Sequence, residues 1–137
     1  MANGGSGFRL SLRVYIEDTD AGGIVYYVNY LKYMERARTE FMRSLGFDKV
    51  TIFEQEQLFV VHKVEADYHL PAVLDDALEI SAVPERIGRA YIDFRQSVYR
   101  GDALLCEAGI RVVCLARATM KPTAIPVFIR DSLLKHP

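Results

Sequence analysis

Glu17-Asp18-Thr19-Asp20-Ala21-Gly22-Gly23-Ile24-Val25-Tyr26-Tyr27 sets three acids and two glycines between a run with strand period and a run with helix period. Upstream, Phe8, Leu10, Leu12, Val14 and Ile16 alternate with Arg9, Ser11, Arg13 and Tyr15, the repeat of a half-buried strand that ends at the acidic loop. Downstream, Tyr30, Met34, Ala37, Phe41 and Leu45 recur at spacings of three and four. A helix is therefore predicted from about Asn29 to Leu45, with Asn29 as N-cap and Gly46 as terminator. Its other face carries Lys32, Arg36, Arg38, Glu40 and Arg43, which reads as a solvated or interface-facing surface. Acids just ahead of a helix meet free N–H groups and the positive end of the helix dipole, both of which favour negative charge. The glycines let another group come close to the backbone.

Beyond the helix the strand period dominates. Leu58, Val60, Val64, Ala66, Tyr68 and Leu70 alternate with Lys63, Glu65, Asp67 and His69, and Pro71 with Asp75-Asp76 marks the turn region that follows. Leu78 to about Arg86 continues the alternation. Gly88 then breaks the chain before Ala90, Ile92, Phe94 and Val98, whose other side is Tyr91, Asp93, Arg95 and Tyr99. After the Gly101-Asp102 turn, a last long strand runs from about Ala103 to Ala116. Pro122 and Pro126 punctuate a tail in which Phe128 to Leu134 reads as a short turn of helix. Strand, acidic loop, long helix and then four antiparallel strands make an α+β pattern. Short turns predict that the sheet after the helix is a meander, wrapped around Tyr30, Met34, Ala37 and Phe41. Such a sheet leaves an edge exposed, and edge-to-edge dimerisation would cover it.

Composition bounds what this scaffold can do. With 137 residues, 50% of them hydrophobic, the chain fits one domain with a real core. A net charge of −1 gives no global pull toward nucleic acid or an acidic membrane, so an anionic ligand must be held by local groups. The small, polar Met1-Ala2-Asn3-Gly4-Gly5-Ser6-Gly7 has no charged start followed by an apolar core, and no later segment reads as a membrane span. Residues 1–8 are thus expected to be a flexible tail, residues 9–137 a single domain, and the location cytoplasmic. Cys106 and Cys114 share the apolar phase of one strand, roughly 26 Å apart, too far for a disulfide and consistent with buried, reduced thiols. No Cys/His cluster suggests a metal. His62 falls on the apolar phase of its strand as a core or pocket-lining residue, whereas His69 and His136 read as exposed.

The run Arg13-Val14-Tyr15-Ile16-Glu17-Asp18-Thr19-Asp20-Ala21-Gly22-Gly23-Ile24-Val25-Tyr26, followed by Asn29-Tyr30 and Tyr33-Met34-Glu35-Arg36-Ala37-Arg38, closely resembles the hotdog-fold acyl-CoA thioesterases. The nearest group is that of the 4-hydroxybenzoyl-CoA thioesterases and its Tol-Pal-associated branch. Phe59-Val60-Val61, Pro71-Ala72, Leu74-Asp75-Asp76, Leu78-Glu79-Ile80 and Met120-Lys121-Pro122 extend the likeness over nearly the whole chain, each a weaker match than the acidic loop. The resemblance implies a five-stranded antiparallel sheet wrapped around one long central helix. It implies a homodimer with a continuous sheet, assembled further into a homotetramer. It also implies hydrolysis of an acyl-CoA, without metal or redox cofactor, at sites on the dimer interface.

Carried over residue by residue, Asp20 matches the family's catalytic aspartate, a nucleophile toward the thioester carbonyl or a general base for water. The amide of Tyr27 matches the oxyanion donor, a kind of contact typically worth ~3 kcal/mol of barrier, and Gly22 and Gly23 would permit the approach. Without the motif, an Asp in an Asp-Ala-Gly turn would read as a turn cap. Glu17 and Asp18 read as turn or surface acids. Arg86 and Arg89 around Gly88, and Lys121, are candidates for the CoA phosphates, although charge pattern alone fits a solvated hairpin tip equally well. Where the Tol-Pal-associated relatives usually carry His, this chain has Tyr27, as the hydroxybenzoyl-CoA enzymes do, so short aliphatic and aromatic acyl groups both stay open. Two other readings are an adaptor that binds acyl-CoA or acyl carrier protein in envelope or phospholipid metabolism with little turnover, and a hotdog dehydratase. The second normally needs a His paired with the acid, and none accompanies Asp20 in the sequence.

Overall fold

The computed structural model describes residues 7–47 and 56–135, so most of the expected tail and His136 lie outside the described residues. Strand β1 (Phe8–Arg13) leads through a 3-10 turn (Ile16–Asp18) and the acidic loop into helix α1 (Asn29–Ser44). Strands β2 (Gln57–Tyr68), β3 (Ala77–Ile87), β4 (Tyr91–Arg100) and β5 (Ala103–Ala116) follow, and helix α2 (Val127–Lys135) closes the described chain. No helix among the described residues is long and apolar enough to cross a membrane.

Of the helix stripe read from the sequence, Tyr30, Met34, Ala37 and Phe41 are buried and, joined by Tyr33, pack mainly against β3, β1 and β4, whereas Leu45 lies just past the helix and is half-buried. Phe41 sits between the rings of Phe8 and Phe94, edge to face at 5.9 and 6.0 Å. Gly46 takes φ +98°, and the N–H groups of Gly46 and Phe47 close the helix on Arg43 and Met42 carbonyls at 2.9 and 3.0 Å. Two expectations fail here. Asn29 is the first helical residue and not its cap; its side-chain amide reaches back to the Asp18 carbonyl at 2.7 Å. Arg38 is not on a solvated face, because its guanidinium turns inward to Gln96 Oε1 at 2.9 Å.

The five strands are antiparallel in the order β1-β3-β4-β5-β2. Only β3, β4 and β5 form the expected meander; β2 pairs with β5 at the far edge. A two-residue period tells which face of a strand is buried and nothing about which strand lies beside it, so the crossing was not readable. The connection 69–76 makes that crossing over the ends of β5 and β4. His69 and Leu70 both donate to the Leu105 carbonyl, at 2.8 and 3.1 Å, and Arg100 reaches the Pro71 carbonyl at 3.1 Å.

A register shift between Val61 and Lys63 also corrects the phase of β2. Phe59 and Val61 lie opposite buried Cys114 and Val112 before the shift, and Val64, Ala66 and Tyr68 lie opposite buried Ile110, Ala108 and Cys106 after it. Leu58 and Val60 therefore belong to the other face, and His62 is the extra residue, exposed and not a core histidine. Both cysteines are fully buried and free, and burial pushes the Cys106 thiol up to about 12.

Candidate active site

The acidic loop is a folded-back turn tied to the start of α1. Asp18 Oδ2 accepts the Tyr15 N–H at 2.8 Å, and its carbonyl accepts both the Tyr26 N–H at 3.1 Å and the Asn29 amide. Asp18 thus spends its carboxylate on holding the turn. Asp20 is exposed; its N–H donates to the Ile24 carbonyl at 2.9 Å, and its own carbonyl accepts the Gly23 N–H at 3.0 Å. The Gly22 N–H holds one carboxylate oxygen, Oδ1, at 2.9 Å. Oδ2 makes no hydrogen bond to another described residue. Gly23 sits at φ +78°, a conformation that side chains with a β-carbon rarely adopt, while a β-carbon on Gly22 would lie 3.4 Å from Asp20 Oδ1.

At the helix entrance, Asn29, Tyr30 and Leu31 donate to the carbonyls of Tyr26, Tyr27 and Val28 at 2.8, 3.3 and 3.0 Å. The N–H groups of Tyr27 and Val28 carry no hydrogen bond to another described residue, as expected of a helix start, and can donate to an anion. An aromatic wall stands beside them: Tyr27 meets Tyr68 edge-on at 5.9 Å, and Tyr68 meets Tyr30 at 5.6 Å. Burial raises the pKa of Tyr30 and of Tyr68. The Tyr33 hydroxyl is buried near the Asp18 carboxylate, and burial, with that carboxylate, raises its pKa too.

Arg86, Arg89 and Lys121 gather at the other end of the sheet. All three are exposed. The Arg89 carbonyl accepts the Ile125 N–H at 2.9 Å, Arg130 bonds the Gly88 carbonyl at 2.6 Å, and the Lys121 carbonyl accepts the Ala116 N–H at 2.9 Å. Arg86 pairs in register with Asp93, whose carboxyl the bidentate Arg111 guanidinium holds below the usual carboxylate range at 2.7 and 2.9 Å. From Leu105, under the crossing beside the acidic loop, to Ala116, beside Lys121, β5 spans roughly 35 Å at the rise of an extended strand. One chain thus brings Asp20, Gly22, Gly23 and the Tyr27 amide together, and Arg86, Arg89 and Lys121 together, but not the two groups.

Sequence reading missed a third constellation. Between the second half of α1 and the inner face of β2 lies a cavity of about 540 Å³, walled by Met42, Phe59, Val61 and Phe94, with Glu35 and Arg38 at its lining. Arg38 is anchored by Gln96, fully buried, whose Nε2 donates to the carbonyls of Met34 at 2.9 Å and Ser81 at 3.1 Å. Burial lowers the Arg38 pKa, opposed by Glu35. The one available signal was a glutamine on the apolar phase of β4.

Comparison with known proteins bears on the fold and the family. Residues 22–110 match the family model described as Thioesterase superfamily. The acyl-CoA thioesterase YbgC of Haemophilus influenzae is 43% identical over 122 residues, 88% of this chain and 90% of that protein. The acyl-CoA thioester hydrolase YbgC of Escherichia coli is 42% identical over 120 residues, 87% of this chain and 90% of its own length. Among solved structures, a probable thioesterase from Bartonella henselae superposes with a TM-score of 0.83 at 30% identity, covering 88% of this chain and 99% of that one. A 1,4-dihydroxy-2-naphthoyl-CoA thioesterase from Synechocystis shares the fold, with a TM-score of 0.87 at 21% identity over 96% of this chain and 99% of that one. Sheet order, central helix and these likenesses together assign the chain to the thioesterase superfamily, as a hotdog-fold member.

Proposed function

We propose that the chain hydrolyses short aliphatic or aromatic acyl-CoA thioesters, with Asp20 as the catalytic carboxylate and the Tyr27 N–H as oxyanion donor. The observation that carries this is the pairing of one restrained and one available oxygen on Asp20 with an uncommitted backbone donor at the adjoining helix entrance. The Gly22 N–H fixes the carboxylate's orientation while Oδ2 faces the reaction. If Oδ2 attacks the carbonyl carbon, the C–S bond breaks, CoA leaves as thiolate, and water then cleaves the resulting anhydride. If Oδ2 instead takes a proton from water, that water attacks directly. Either route puts negative charge on the carbonyl oxygen, where an N–H aimed from the helix start is worth most.

The same reading requires a second copy of the chain. Among the described residues, strand β2 is bonded on one side only, and it exposes Val61, Val64 and Tyr68. Antiparallel pairing of two β2 strands would set the Tyr68 end of one beside the Gln57 end of the other. Asp20 of one protomer would then approach the basic tip and the cavity of its partner. Phosphates would meet Arg86, Arg89 and Lys121, and the acyl group would find an apolar volume of suitable size. A homotetramer of two such dimers follows from the family resemblance, and sedimentation distinguishes it from the dimer.

The test is CoA release from a panel of aliphatic and aromatic acyl-CoAs by wild type and Asp20→Asn. Loss of turnover in the Asn variant supports the assignment, and unchanged hydrolysis would overturn it. Binding of the panel without any turnover by wild type would favour the adaptor reading. A single turnover in ¹⁸O-water separates the two routes, since only the anhydride route can place label in Asp20.

A further inference from the structure

The connection 69–76 is the bed on which the acidic loop lies. The Val25 N–H donates to the Ala72 carbonyl at 2.9 Å, the Leu74 N–H donates to the Gly23 carbonyl at 3.3 Å, and Ile24 pairs with Val73 in an antiparallel bridge. Ile24 in turn accepts the Asp20 N–H. From the helix side, the Tyr30 hydroxyl accepts the Ala72 N–H at 2.8 Å. The placement of Asp20 against the helix entrance therefore runs through Ala72, Val73 and Leu74.

One ion pair grips that segment at both ends. Arg100 Nη1, at the end of β4, donates to Asp76 Oδ2 at 2.7 Å and to the Pro71 carbonyl at 3.1 Å. The same Asp76 oxygen accepts the Val73 N–H at 2.9 Å. The backbone of Asp76 is itself fixed, its carbonyl accepting the Val14 N–H at 2.9 Å and its N–H donating to the Val73 carbonyl at 3.1 Å. The Asp76 side chain is 17% exposed, so its charge-assisted bonds are sheltered from solvent on that side.

We propose that Asp76 and Arg100 are positioning residues for the thioesterase site: their ion pair clamps the 71–73 crossing, and through it the loop that carries Asp20 and leads to the Tyr27 amide. Neither touches the reacting atoms. Their effect is on alignment, where a displacement of about 1 Å can cost on the order of 100-fold in rate. The activity arm of the test rests on the function proposed above; a second arm does not.

The variants are Asp76→Ala, Asp76→Asn and Arg100→Lys, with Glu79→Ala as control. Glu79 pairs with Arg9 at 3.0 Å on the exposed face of β3 and makes no contact with the crossing. The readouts are kcat and KM on an acyl-CoA that wild type turns over, and amide hydrogen exchange of residues 19–27. Asp76→Ala should lower kcat about tenfold or more with KM within about twofold, and should speed exchange in 19–27. Asp76→Asn, which keeps an acceptor for Val73, should fall between. Arg100→Lys, which keeps the charge, should retain most of kcat, and Glu79→Ala should match wild type. Wild-type kcat and exchange in Asp76→Ala would overturn the proposal, as would a rise in KM alone or an equal loss in Glu79→Ala. A wild type that hydrolyses no acyl-CoA would sink the functional reading, while exchange in 19–27 would still decide whether the pair holds the loop.

Discussion

The acidic loop and the Arg86–Arg89 hairpin are both exposed, yet they are restrained differently. Around Asp20, backbone holds backbone: Asp20, Gly23, Val25 and Tyr26 all donate N–H groups to carbonyls within the loop or the crossing, and the Gly22 N–H holds the Asp20 carboxylate itself. At the hairpin, backbone carbonyls of Gly88 and Arg89 are anchored while the arginine side chains stay exposed. A reacting carboxylate must be fixed to a fraction of an ångström, because barrier height depends on alignment. A phosphate is attracted over longer distance, and mobile guanidiniums suffice to meet it. The contrast implies that changes at the loop end act on kcat, and changes at the basic end act on KM.

The largest expected effect is that of Asp20→Asn, a fall in kcat of about 10²–10⁴ with little change in KM or thermal midpoint, read from steady-state kinetics and calorimetry. An isosteric amide keeps the Gly22 hydrogen bond, so the loss would isolate the charge. Gly23→Ala comes next. A β-carbon there meets open space but must adopt φ +78°, which costs about 1–2 kcal/mol and strains the bond to Leu74. Urea unfolding should register the stability cost and assays a reduced kcat. At the other end, Arg86→Ala with Arg89→Ala should raise KM for acyl-CoA about tenfold at low salt, leave kcat within about twofold, and lose most of that difference by about 0.5 M salt. A fall in kcat without a KM change would break the division between the two ends.

Residues whose meaning is local were readable from the sequence. The acids and glycines of the loop, the stripe from Tyr30 to Phe41 and the Gly46 stop are recognised within a turn or two of themselves, and each is found in place. Partnerships across the fold were not. Arg38 and Gln96 are 58 positions apart, and a helix wheel assigns the arginine to solvent because it cannot see the amide that anchors it. The β2 phase was misread because one extra residue at His62 exchanges inner and outer faces, a change no alternation count detects. Asn29 looked like a cap because the preference for asparagine at helix starts does not distinguish accepting an N–H from donating to Asp18. The Asp76 to Arg100 clamp needed the crossing, and the crossing needed the strand order.

The smallest effect concerns acid, and it probes both ends at once. Asp76 is held below its ordinary pKa by the Val73 N–H and Arg100, which together outweigh its burial, and Asp93 is held low by Arg111. A carboxylate with a depressed folded pKa contributes stability that is present above the unfolded value, near 3.9, and is lost as pH falls through the folded one. Each pair should therefore contribute stability at neutral pH that disappears in strong acid. Urea midpoints measured from about pH 6 to pH 2 should fall less steeply in Asp76→Asn and in Asp93→Asn than in wild type. The two variants should part in function: at pH 7 Asp76→Asn lowers kcat, because it loosens the bed of the acidic loop, whereas Asp93→Asn leaves kcat unchanged and frees Arg111 beside the phosphate end. Equal kcat in both would mean that the loop does not depend on its crossing for alignment, and the contrast between the two ends would reduce to charge alone.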